Sequence, residues 1–195
     1  MNKKDFLLSS VIGFFVGILL IPTLYGVGVK NSLLFAILPI FFLMLAIIGM
    51  KIMTLIAVRI PLFSQLGKFL AVGVLNTAID FGVLNILSMA TGITAGFKLG
   101  GVNIPGFSIA VLNSYFWNKA WVFEKREGSL KSFSQFIMVS VGGLVLNSAL
   151  VAFITGFVPP PGMTVELWLN IAKIIATIIA FVWNFLGYKF IVFAR

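Results

Sequence analysis

The sequence has no cysteine, no histidine and only five acidic residues in 195. Without cysteine there is no disulfide, no thiolate metal site and no thiol nucleophile. Without histidine the usual general base and the commonest metal ligand are missing. Charge of either sign is scarce: 10% of residues are charged, against about 25% in a soluble domain. So few polar side chains cannot cover a water-facing globule. With 61% hydrophobic residues, the composition predicts a polytopic membrane protein. Hydrolysis, group transfer and metal catalysis have almost no residues to use. No enzyme activity, cofactor or metal is expected, and the net charge of +9 points to membrane flanks rather than nucleic acid.

What is present is a series of apolar runs. Six spans are expected, at 6–25, 33–50, 68–89, 104–123, 133–157 and 167–193. About 20 helical residues cross a hydrocarbon core of roughly 30 Å. Gly13 and Gly17 form a GxxxG pair in the first span. In so glycine-rich a chain, coincidence is the expected reading over a packing contact. Pro39 is expected to kink the second span. The stretch from Lys51 to Lys68 either extends that helix or lies along the headgroups, and Pro61 ends it. The Gly/Thr-rich stretch before Ile104 reads as a loop, and Trp117, Trp121 and Lys119 suit a membrane–water boundary.

With both termini inside, the inner set is Lys3, Lys4, Lys51, Arg59, Lys68, Lys119, Lys125, Arg126, Lys131, Lys189 and Arg195. The outer set is only Lys30, Lys98 and Lys173. That asymmetry predicts a multi-pass protein of the cell (cytoplasmic) membrane with cytoplasmic termini.

The third span, KFLAVGVLNTAIDFGVLNILSM from Lys68, carries a single acid, Asp80. Asp80 lies about 18 Å along the helix from Lys68. A central Asp costs roughly 2.5–3.5 kcal/mol to insert, so it is expected to face inward with Asn76 and Thr77, which share its helical side.

Spans three and four also resemble spans five and six. KFLAVGVLNTAIDF sets against QFIMVSVGGLVLNS without a gap, placing Asp80 opposite Asn147. SYFWNKAWVF sets against NFLGYKFIVF, placing Ser114 opposite Asn184 and Lys119 opposite Lys189. The predicted fold is therefore all-α: six transmembrane helices, with a four-helix core built from two parallel two-helix repeats.

These same segments carry a family resemblance. KFLAVGVLNTAIDF, then NKAWVF, then the second half and its closing WNFLGYKFIVF, resemble the GtrA family over 65–195. Residues 1–64 form a two-helix extension beyond the four-helix family pattern. The resemblance implies a part in cell-surface polysaccharide biosynthesis. Its implied partners are a polyprenyl-phosphate-linked sugar, a membrane-associated glycosyltransferase and the lipid bilayer; homo-oligomerisation is left open.

A protein that flips such a lipid needs hydrogen-bonding groups along an inward seam and cations at the entry. Asn76, Asp80, Asn113, Ser114, Asn147, Lys173 and Asn184 are the expected seam, and Lys68, Lys119 and Lys189 the expected phosphate or headgroup contacts. The competing reading of each is an interhelical bond or a headgroup anchor. Depth along the helices also predicts an ion pair between Asp80 and Lys173. Two further classes compete for the whole chain: a small proton-coupled multidrug-type exporter and a purely structural membrane anchor.

Overall fold

In lipid the backbone can satisfy its polar groups only internally, so apolar runs of this length wind into helices. A computed structural model of the chain describes residues 1–26, 28–93, 96–124, 130–155, 157, 161–162, 175 and 178–194. Side chains at 96–101, 103, 147–148, 151–152 and 155 fall outside that description. Among the described residues every regular element is helical. The helices are α1 (Lys3–Gly26), α2 (Ser32–Ala57), α3 (Leu62–Thr91), α4 (Gly96–Trp117), α5 (Leu130–Thr155) and α6 (Ile178–Val192). α1, α2 and α3 are each long and apolar enough to cross a membrane. Leu130–Leu146 within α5, and α6, are shorter apolar stretches.

Helix ends follow local chemistry. The Asn2 side chain accepts from the Asp5 N–H at 2.7 Å, and the Asn31 side chain from the Leu34 N–H at 3.0 Å. Each satisfies an amide that the first helical turn leaves free. Gly92, at φ 69°, closes α3 by donating its N–H to the Ser88 carbonyl. The residues after Lys51 extend α2 to Ala57, and Pro61 caps the start of α3.

One boundary differs from expectation. The stretch read as a loop before Ile104 is already helical from Gly96, with Pro105 inside α4. Glycine and proline punctuate helices in water. A helix pairs its backbone groups internally, and here it continues through both residue types.

The described residues form two compact units, Met1–Glu124 and Lys125–Arg195. In the first, α1 packs on α2 and α3, and α3 packs also on α2 and α4. Glycines set these approaches. A Cβ on Gly13 would fall 2.8 Å from Ala46 Cβ and Leu43 Cα, and one on Gly17 would fall 2.5 Å from the Leu38 carbonyl oxygen. The GxxxG pair is therefore a packing contact and not the expected coincidence: it brings the α1 and α2 backbones together where no hydrophobic force drives helices to associate. Ile12 and Val16 of α1 and Phe69, Val72 and Leu75 of α3 fill the interior. α2 buries only Leu38 and Met50, and exposes Ile40, Phe41, Met44, Leu45 and Ile48. Such a face suits acyl chains.

In the second unit, the Phe136 ring stacks on Tyr188 with centroids 4.4 Å apart. The Tyr188 hydroxyl and Ser140 Oγ share a hydrogen bond of 2.7 Å, and the Trp183 indole N–H donates to the Val139 carbonyl at 3.0 Å. These contacts tie α5 to α6.

Candidate polar seam and buried ion cluster

Two helix ends share an uncommon geometry. Asn118–Val122, which follows α4, and Tyr188–Val192, which ends α6, are both π-helical. The Phe123 N–H donates to the Asn118 carbonyl at 2.9 Å, and the Phe193 N–H to the Tyr188 carbonyl at 2.8 Å. These positions pair when Lys119 is set against Lys189. A π turn widens the helix and is found mostly as a single turn at functional sites.

The first π turn sits against a buried ion cluster. Lys68 is only 7% exposed. Its Nζ lies 3.1 Å from Asp5 Oδ1 and 3.3 Å from Glu124 Oε1. The Trp121 indole N–H donates to Asp5 Oδ1 at 2.8 Å, and the Trp121 ring faces Lys68 Nζ at 5.9 Å. Lys4 completes the group at 3.7 Å from Glu124 Oε1, donating also to the Ala120 carbonyl at 3.5 Å. Asp5 is 5% exposed and Trp121 is fully buried. The Trp121 side chain is turned inward rather than outward. Its apolar ring fills the core, and its one polar atom meets the Asp5 carboxylate.

Deeper in α3, Asn76 Oδ1 accepts from Asn113 Nδ2 at 2.7 Å, joining α3 to α4. One turn on, Asp80 Oδ1 is buried and has no hydrogen-bond partner among the described residues. It faces Gly106 of α4, where a Cβ would lie 3.1 Å from that oxygen. Thr77, expected on the same side, is exposed and bonds back to the Gly73 carbonyl at 3.0 Å. Ser114 accepts from Asn118 Nδ2 through its carbonyl at 2.7 Å and its Oγ at 3.2 Å. Asn118 Oδ1 is a second buried oxygen without a partner among the described residues.

In the second unit the Asn184 side-chain oxygen is a third, packed against Gly143 of α5. Lys189 Nζ lies over the rings of Phe185 and Phe190, at 5.9 Å and 5.5 Å. Lys119 is half-buried in the first π turn. The side chain of Asn147 and the whole of Lys173 lie outside the described residues, and with Lys173 so does the expected pair to Asp80.

The structure thus brings together Asn76 with Asn113, and Lys68 with partners that the sequence did not suggest. Asp5 and Glu124 read as flanking charges, because nothing local says that residue 5 meets residue 68. Their only sequence signal is rarity: two of five acids stand at helix ends. Among the described residues, no cluster of three metal-ligating side chains occurs.

Apolar helices with buried, hydrogen-bonded amides and a buried ion cluster define an integral membrane protein with a polar interior. Residues 68–193 match the family model described as GtrA/DPMS, transmembrane domain. The chain belongs to that family, whose members are membrane proteins associated with polyprenyl-phosphate sugars and glycosylation. It is also similar to a Bacillus subtilis (strain 168) protein called uncharacterized membrane protein YngA. The two are 30% identical over 131 residues, covering 67% of this chain and 80% of that one.

Proposed function

We propose that the protein is a non-enzymatic component of polysaccharide assembly that translocates a polyprenyl-phosphate-linked sugar, or holds it for a glycosyltransferase partner. In this reading 65–195 is the working domain, with six spans in the whole chain and both termini in the cytoplasm. Two parallel two-helix repeats make the core. The matched π turns at Asn118–Val122 and Tyr188–Val192 support the repeat.

One observation carries the reading. Asp80 Oδ1 is buried beside the Asn76–Asn113 bond without a partner among the described residues. An unmatched acceptor in an apolar helix pair is costly, and a sugar hydroxyl would satisfy it. Asn76, Asp80, Asn113, Ser114, Asn147, Lys173 and Asn184 then form the route. Lys119 and Lys189, each in a π turn, meet the phosphate. Lys68 serves there as well once its acidic partners yield.

The test is transfer of labelled polyprenyl-phosphate sugar across reconstituted vesicles. Transfer should need the protein and fall about tenfold in Asp80→Asn, equivalent to roughly 1.4 kcal/mol in the barrier. Transfer at the same rate in empty vesicles would remove the translocase reading. Intact recruitment of the glycosyltransferase in that case would leave the partner role.

A further inference from the structure

The first unit has an apolar opening and, elsewhere, a closed polar contact. The opening is a half-open cavity of about 320 Å³ between α1, α2 and α3. It is lined only by Gly, Ala, Val, Leu, Ile, Met and Phe, and a Cβ built on Gly49 would meet nothing within 4 Å. Those walls give a polar ligand nothing to bond to.

The polar contact is where α3 meets α4. Asp80 Oδ1 is buried there without a partner among the described residues. Its cover is backbone: a Cβ on Gly106 would lie 2.8 Å from the Asp80 carbonyl oxygen and 3.1 Å from Oδ1. Any larger residue at 106 would hold the two helices apart. With Gly106 lying on it, the oxygen is closed to a sugar hydroxyl. The route proposed above therefore needs a helix to move, and the residues of α4 indicate which part.

The residue before Gly106 is Pro105, inside α4 and exposed. Proline has no N–H, so the helix bond back to residue 101 is missing, and the glycine that follows resists backbone rotation least. Sharp bends in helices fall mostly at prolines and at other such breaks. A weakened step of α4 thus lies at the level of Asp80. The two sides of that step are held unequally. After it, Asn113 donates to Asn76 of α3 at 2.7 Å, Ala110 and Tyr115 are buried, and Trp121 in the π turn donates to Asp5 at 2.8 Å. Before it, the described side chains are Val102 and Ile104, both apolar, with Ile104 63% exposed.

We propose that α4 is a gate over Asp80. The stretch 96–104 swings about Pro105 and Gly106, away from α3, and lifts Gly106 from the Asp80 carboxylate. The rest of α4 and its π turn stay bonded to α3 and α1. Pro105 is the hinge and Gly106 the cover, and neither bonds to the sugar. A few residues that absorb the dihedral change are enough for such a hinge. What passes the gate rests on the function proposed above; the gate itself rests on Gly106, Pro105 and the unequal bonding of α4.

The test uses the absence of cysteine from the chain. The full chain carrying Asp80→Cys, in nanodiscs, is labelled with a water-soluble maleimide, which reads how often residue 80 is uncovered. Pro105→Ala restores the helix bond and should slow labelling about two- to tenfold, the worth of one hydrogen bond. Alanine also favours the helix, so this variant folds. Gly106→Ala wedges α4 from α3 and should speed labelling about fivefold or more. Val111→Cys, half-buried beyond the hinge, should label at the same rate with and without Pro105→Ala. Equal rates at residue 80 with proline and with alanine at 105 would overturn the hinge. Labelling no faster with Gly106→Ala would overturn the cover. Equal slowing at residues 80 and 111 would show that the whole helix tightens, and would overturn the gate. No lipid-linked sugar enters the measurement. If labelling departs from these results while labelled sugar still crosses vesicles, the gate falls alone. If labelling follows them while nothing crosses, the translocase reading falls alone.

Discussion

The two π turns have the same backbone and opposite chemistry around them. The first is held by charge: Trp121 donates to Asp5, and Asp5 and Glu124 flank Lys68. The second is held by a neutral stack, Tyr188 on Phe136, with a hydroxyl bond to Ser140. Phe69 precedes the first turn as Phe136 precedes the second when the two halves are set side by side, and both are buried. Yet where the first half has Lys68, the second has Gln135. Among the described residues, the second turn is thus braced by ring and hydroxyl contacts, with the Lys189 ammonium over the Phe185 and Phe190 rings.

Breaking that contrast should give effects of very different size. The largest is expected for Lys68→Met. It leaves Asp5 as a buried charge without its ammonium partner, which costs about 3–5 kcal/mol. Asp5→Asn in the same chain should restore most of the loss, since an amide oxygen still accepts from Trp121. Unfolding in detergent followed by tryptophan fluorescence reads both. No recovery in the double variant would show that packing around Lys68, not its charge, holds the turn.

A middle-sized effect is expected where α1 meets α2. Gly17→Leu places a side chain against the Leu38 and Pro39 backbone, which can move only with the helix. Overpacking of this kind costs about 1–3 kcal/mol. The same unfolding measurement should show the loss, with Gly49→Leu as the harmless control. Equal effects of the two would mean that α1 and α2 do not touch through glycine.

The smallest is expected for Tyr188→Phe in the second unit. It removes one hydroxyl bond and keeps the stack, so it should cost about 0.6 kcal/mol, the usual size of such a bond inside a membrane. A loss as large as that of Lys68→Met would mean that the neutral turn is no sturdier than the charged one, and the contrast would dissolve.

Much of this was legible in the residues. The missing cysteine and histidine, the apolar runs and the single acid of the third span led to a membrane protein with a polar interior. The segments that resemble one another also carried the family resemblance, and the same register sets the second π turn against the first. Local signals misled at two places. Glycine and threonine before Ile104 suggested a loop, but α4 is helical from Gly96, because a helix pairs its backbone groups internally. Gly13 and Gly17 looked incidental, since their value depends on which backbone comes near.

Composition and hydrophobic pattern alone determined that this chain enters a bilayer as helices, because transfer from water depends on each segment by itself. Only the tertiary structure decided that Asp5, Lys68, Trp121 and Glu124 meet and that α1, α2 and α3 line an apolar cavity. Ion pairs and voids belong to distances between segments, and no single stretch of sequence carries a distance.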